Sequence, residues 1–235
     1  MAEIIATNLI VPGRGHNVWP DGSLHLSESA LARVYAAAEY VREHHDAFEE
    51  AREAGTGGVV VMSGGYAALA TSGKMRPPPF EQRESTLMYR EGHRSRIPFG
   101  YLRNSPASTS TLENILRPYE EGYLPVLSDK NPLGIVTQES QFDRLEWFAR
   151  RIFQLPANAV QLIQAPGEET PRLSRTSRDL CALPRWLTGR SIRRSDCERL
   201  KPHSVEFLVR LWLSNCKSHP PSGTRMPAAP LKRVH

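Results

Sequence analysis

Residues 9–17 read LIVPGRGHN, an apolar run that ends abruptly in two glycines with an arginine between them. Such a stretch predicts a strand that delivers a tight loop to the edge of a sheet. The next segment is helical in spacing. In SESALARVYAAAEYVREHH, from Ser27, the apolar positions Leu31, Val34, Tyr35, Ala38 and Val41 recur at three and four, which lays one stripe along a helix.

The same alternation continues along the chain. Strands are predicted over 4–11, 58–62, 99–102, 133–137 and 159–163, all short and rich in Val and Ile. Helical spacing recurs over 81–91, 110–121 and 141–153. Repeated strand–helix alternation predicts an α/β fold: a Rossmann-like, open, mostly parallel sheet of about five strands with helices on both faces. A further amphipathic helix is expected over 203–217, with Phe207, Leu208, Leu211 and Trp212 on one side. The domain organisation expected is an α/β domain over 1–189, a basic helical extension over 190–217 and a flexible tail over 218–235.

Length and composition narrow the classes. A chain of 235 residues can bury one large α/β core. No run of about 18 uncharged apolar residues occurs, so a membrane span is not expected. The first predicted strand begins within a few residues of Met1, without a basic start and apolar signal core, so the cytoplasm is the expected location. Cys181, Cys197 and Cys216 are odd in number and widely spaced, and fit neither a disulfide framework nor a zinc knuckle. No histidine–carboxylate spacing suits a protein-ligated metal either.

The formal net charge of +5 is unevenly placed. Residues 190–235 hold 10 Lys/Arg against 3 Asp/Glu, which leaves 20 basic and 22 acidic residues in the first 189, a net of −2. The basic character belongs to the C-terminal segment. No aromatic-interleaved basic stripe accompanies it, so nucleic acid is not the expected partner. Self-association or a protein partner is assigned to 203–217.

In an open parallel sheet, ligands bind outside the carboxyl ends of the strands. Those ends carry PGRGH, SGGYA, RNSPASTST and TQESQFDR. Glycines allow backbone N–H groups to approach an anion, and hydroxyls, helix N-termini and arginine add donors. Candidate ligand-binding residues are therefore Gly13, Arg14, Gly15, Ser63, Gly64, Gly65, Ser108, Thr111, Asn114, Thr137, Gln138, Gln141 and Arg144. The titratable candidates for catalysis are Glu84, Glu113 and His16. Each loop also has a plainer reading. GRG matches neither a dinucleotide fingerprint nor a P-loop, so Gly13 and Gly15 could be turn residues. Ser110 with Glu113 makes a capping box. Arg144 could be a solvated helix residue and His16 an exposed loop histidine.

The order of these motifs (PGRG, LSES with Arg33, VVVMSGG, Glu84 and Met88, SPASTSTLEN, VTQESQFDR) resembles the DUF218 family of YdcF-like, SanA-like and ElyC-like proteins. The resemblance covers about residues 4–165. It implies a Rossmann-like sandwich and a nucleotide-like or phosphate-bearing ligand at the strand ends, S-adenosylmethionine having been associated with a member. Membrane-anchored members imply envelope roles. Two positions depart from the pattern: Ser105 stands where the family commonly has an acidic residue, and Gln141 where it has a histidine. Neither titrates near neutral pH, so neither can serve as general acid or base. Two expectations result. One is a cytoplasmic, biosynthetic enzyme that performs group transfer or hydrolysis on S-adenosylmethionine or a nucleotide. The other is a non-catalytic ligand-binding or accessory subunit.

Overall fold

A computed structural model describes residues 4–66 and 78–167. The three cysteines and the segments assigned to the helical extension, the partner surface and the tail lie outside the described residues.

Five parallel strands form one sheet: β1 (Asn8–Pro12), β4 (Val59–Ser63), β5 (Leu102–Ser105), β6 (Leu133–Thr137) and β7 (Val160–Gln164), in the order β5-β4-β1-β6-β7. Sequence neighbours thus fan outward from β1 in both directions, and the winding reverses between β1 and β6. The fold is a Rossmann-like α/β fold, with its topological switch point between those two strands.

Residues alternate between the two faces of each strand. Leu9, Val11, Val60, Met62, Leu102 and Val136 pack with Val34 and Ala37 of α1 (Glu28–Glu43) and Met88 of α3 (Glu84–Arg94). The intervening Ile10, Val61, Leu133 and Ile135 pack with Ile115 of α4 (Thr111–Glu120) and with Leu145 and Ala149 of α5 (Phe142–Phe153). Helices cover both faces, which is why all five residues of β1, β4 and β6 are buried.

Three local expectations change. The third strand of the sheet is Leu102–Ser105, not 99–102; Phe99 and Gly100 lie in the turn before it, with Phe99 67% exposed. The first helix ends at Glu43, capped by His44, and a further helix, α2 (His45–Glu53), comes directly after it and buries Phe48. The buried face of α1 is also rotated by about one residue. Tyr35 is exposed and reaches Glu91, whereas Arg33 lies inside, 2% exposed, beside Ala30, Val34 and Ala37.

A two-stranded antiparallel hairpin, β2 (His16–Val18) and β3 (Leu24–Leu26), separates the PGRG loop from α1. Its strands are too short to show a pattern, but its turn is written in the sequence. Asp21 and Gly22 come after Pro20, with Gly22 at φ +81° and Asp21 Oδ1 accepting from the Ser23 N–H at 2.9 Å. Trp19 stacks on His25 across the hairpin at 4.0 Å.

Candidate functional site

The carboxyl ends of the parallel strands form one rim. Gly13 lies just past β1, Gly64 and Gly65 just past β4, Ser108 lies three residues beyond β5, and Thr137 ends β6. The candidate residues are thus brought together, but the glycine loops hold each other and not an open cradle. Gly13 N–H donates to Ser63 O at 2.6 Å, Gly64 N–H to Ser105 O at 3.2 Å and Tyr66 N–H to Ser108 O at 3.3 Å.

The anion held by the PGRG loop belongs to the chain itself. Both Arg14 and Gly15 donate their backbone N–H to Oε1 of Glu84, a buried residue at the start of α3. A Cβ on Gly13 would run into that carboxylate, and one on Gly64 would lie 3.0 Å from its other oxygen. Gly15 takes φ +119°, a conformation that favours glycine, to aim its N–H inward. The N-terminus of α3 is closed in the same way: Ser85 N–H donates to Gly64 O at 2.8 Å and Glu84 N–H to Gly65 O at 3.3 Å. The carboxylate sits where two backbone donors and a helix N-terminus favour negative charge.

Glu113 is likewise engaged locally. Its Oε2 accepts from the N–H and the hydroxyl of Thr109, while its own N–H donates to Ser110 Oγ at 3.2 Å. This is a capping clasp at the start of α4. Asn114 accepts from the buried Ser108 hydroxyl at 2.5 Å, tying the loop to the first turn of the helix. The N–H groups of Thr111 and Leu112, the first two residues of α4, make no hydrogen bond among the described residues.

On the α1 side of the switch point, a buried network closes the crevice. Arg33 Nε donates to Gln138 Oε1 at 2.6 Å and its Nη1 to Pro12 O at 2.8 Å. Gln138 Nε2 donates to Ser29 O at 3.0 Å. This network stitches the end of β6 to α1 across β1. Arg33 is absent from the residues that the sequence nominates for the site; its signals there are an arginine among the alanines of an apolar helix and its place in the motif order that resembles the DUF218 family. Gln141 accepts from Arg144 within the first turn of α5.

The rim also holds buried polar atoms with no hydrogen-bond partner among the described residues: Ser63 Oγ, Thr137 Oγ1 and His16 Nε2. His16 opens β2 directly after the PGRG loop. Ser105 Oγ also closes no well-formed hydrogen bond, but it faces the carboxyl of Glu121, the residue capping the end of α4. Burial pushes the Glu121 carboxyl above its ordinary value, opposed by the Ser105 hydroxyl and by Arg117.

The Glu121 shift gives a signed expectation. The folded protein keeps the proton to higher pH than the unfolded chain, so Glu121 lowers stability as pH rises through and above that window. Measured as the difference in melting point, Glu121→Gln is expected to gain on the wild type as pH rises from below 4.5 towards neutrality. A difference that stayed constant with pH would show that Glu121 titrates alike in both states.

Among the described residues, no group of three or more His, Cys, Asp or Glu is placed to hold a metal ion, and no helix is long and apolar enough to cross a membrane. A shallow groove at the opposite, amino end of the sheet is lined by Arg52, Gly57, Arg103 and Tyr123. Its arginines are engaged by Glu49 and by the carbonyls of Gly100 and Leu102. Compared with known proteins, the chain matches no family model, no curated protein and no solved structure.

Proposed function

We propose that the protein binds a nucleotide-type ligand, an anionic nucleoside phosphate or S-adenosylmethionine through its carboxylate, at the carboxyl rim of its sheet, and that it acts on it by group transfer or hydrolysis. The observation that carries this reading is the concentration of unpartnered buried polar atoms at that rim, Ser63 Oγ, Thr137 Oγ1 and His16 Nε2. A buried hydroxyl or ring nitrogen without a partner is unfavourable in the free protein, and a ligand that completes its hydrogen bond removes that penalty. Of the three titratable candidates, His16 is the general acid or base, because Glu84 and Glu113 are tied to backbone N–H groups. The resemblance to the DUF218 family and a cytoplasmic, biosynthetic role belong to the same proposal.

A non-catalytic binding or accessory protein is the second reading. It is favoured by Ser105 and Gln141, which cannot move protons near neutral pH, and by the engagement of both glutamates.

A thermal-shift panel tests the proposal: S-adenosylmethionine, S-adenosylhomocysteine, adenosine phosphates, a phosphosulfate nucleotide and inorganic phosphate. A ligand at a hundredfold excess over Kd stabilises the fold by about 2.7 kcal/mol, which raises the melting point by roughly 5–10 °C in a domain of this size. If none of the nucleotides moves the melting point, the nucleotide reading falls. Turnover that is lost in His16→Asn while the shift persists selects the enzyme; binding without product in the wild type selects the accessory protein.

A further inference from the structure

The rim has two sides, and the buried strand-end hydroxyls without a partner among the described residues, Ser63 and Thr137, lie on one of them. On the α1/α3 side, Glu84 fills the PGRG loop, and Arg33 with Gln138 closes the switch point. On the α4/α5 side, the strand ends present hydroxyls. Ser63 lies two residues beyond Val61 and Thr137 two beyond Ile135, so both share the face that packs on α4 and α5. Both residues are 0% exposed, and their hydroxyl oxygens have no hydrogen-bond partner among the described residues.

The register places them around the switch point. Pro12 pairs with Ser63, and Ser63 with Ser105. Ile10 pairs with Ile135, and continuing that register by two residues brings Thr137 alongside Pro12. Ser63 and Thr137 therefore flank Pro12, about 10 Å apart at the backbone. Pro12 itself offers no N–H. Above this row sits α4, which packs against β1 and β4 and begins at the rim, with the Thr111 and Leu112 N–H groups making no hydrogen bond among the described residues.

From these positions the geometry points to an oxyanion subsite, for a phosphate-type group, over Pro12 between Ser63 Oγ, Thr137 Oγ1 and the N-terminus of α4. The hydroxyls donate to the oxyanion, and the ten-residue helix whose first turn holds the Glu113 carboxylate on Thr109 presents the N–H groups of its start to the same rim. This inference rests on the nucleotide reading for the ligand's remainder, but not for the oxyanion. A free phosphate and the phosphate of a nucleotide present the same chemistry here.

The test uses Ser63→Ala and Thr137→Val in the full chain, with calorimetric titration of inorganic phosphate, ADP and adenosine and a melting curve without ligand. Each substitution removes a hydroxyl without a hydrogen-bond partner among the described residues, so the ligand-free melting point is expected to stay or rise. Affinity for phosphate and ADP is expected to fall roughly 10- to 100-fold per hydroxyl, the usual range for a hydrogen bond to a charged group. Adenosine measures the remainder of the ligand. Phosphate binding that depends on both hydroxyls, with no gain from the nucleoside, supports the subsite and overturns the nucleotide reading. ADP binding equal in wild type and both variants overturns the subsite and leaves the nucleotide reading standing. Binding of neither phosphate nor ADP to the wild type overturns the subsite and the nucleoside-phosphate form of the reading, leaving S-adenosylmethionine to the thermal-shift panel. A fall in ligand-free stability on losing either hydroxyl overturns the subsite by making that hydroxyl structural.

Discussion

Glu84→Ala is expected to destabilise the ligand-free protein by about 2–4 kcal/mol, lowering its melting point by roughly 5–15 °C. The carboxylate joins elements far apart in the chain: the loop after β1, the loop after β4 and the first turn of α3. Without it, the Arg14 and Gly15 N–H groups lose a charged acceptor, and an unmade bond to a buried donor costs about 1–3 kcal/mol. The favourable charge at the helix N-terminus adds about 0.3–1 kcal/mol. Glu84→Gln keeps one acceptor oxygen of the same shape and is expected to lose about half as much. The comparison separates two roles. A carboxylate held ready for a ligand, with no internal partner, would leave the melting point unchanged or raised when removed. Denaturant unfolding of the three proteins decides between them.

Gly65→Ala is the second large effect, expected at about 3 kcal/mol, the upper part of the usual overpacking range, or roughly 6–12 °C in melting point. A Cβ at this position would run into the Ser108 carbonyl oxygen and approach the Pro106 carbonyl to 2.9 Å. Both obstacles are backbone, so no side chain can swing aside. Gly64→Ala meets Glu84 Oε2 at 3.0 Å and the Gly13 backbone at 3.2 Å, and a smaller loss is expected there because the carboxylate can shift. If Gly65→Ala melted like the wild type, the β4 and β5 loops could not be packed as closely as Gly65 and Ser108 indicate.

These expectations change what the glycines mean. In the sequence, PGRG and SGG read as open backbone waiting for an anion. In the structure, they are glycine because the chain packs against itself there. Glu84 fills one loop, and the Ser108 carbonyl lies against the other. The hydroxyls of Ser63 and Thr137, less conspicuous in the sequence than the glycines beside them, are among the groups left without a hydrogen-bond partner among the described residues.

What the sequence determined by itself was whatever depends on local period and composition. Short Val/Ile runs alternating with stripes at three and four specified the layers, and four of the five strands fell on or near their predicted ranges. The side-chain period of two and the helical period of 3.6 are properties of neighbouring residues, so they are legible without knowing the fold. The rim was legible too, because parallel strands place every strand-to-helix loop at one end. The third strand was misplaced because Pro98, Phe99 and Gly100 carry apolar surface into a turn. The β2–β3 hairpin was missed because strands of three residues show no period, although Pro20-Asp21-Gly22 marked its turn.

The tertiary structure alone decided which donors find partners within the chain. Glu84 is 70 residues from Arg14, and Gln138 is 105 residues from Arg33. A hydrogen bond is set by distance and direction in space, and local periodicity carries no record of such pairs. The same holds for the hydroxyls. Ser63 and Thr137 share a face only because β1 inserts between their strands in this register. The sequence could nominate serines, glycines and glutamates at strand ends; folding determined which of them the chain uses up and which it leaves without a partner among the described residues.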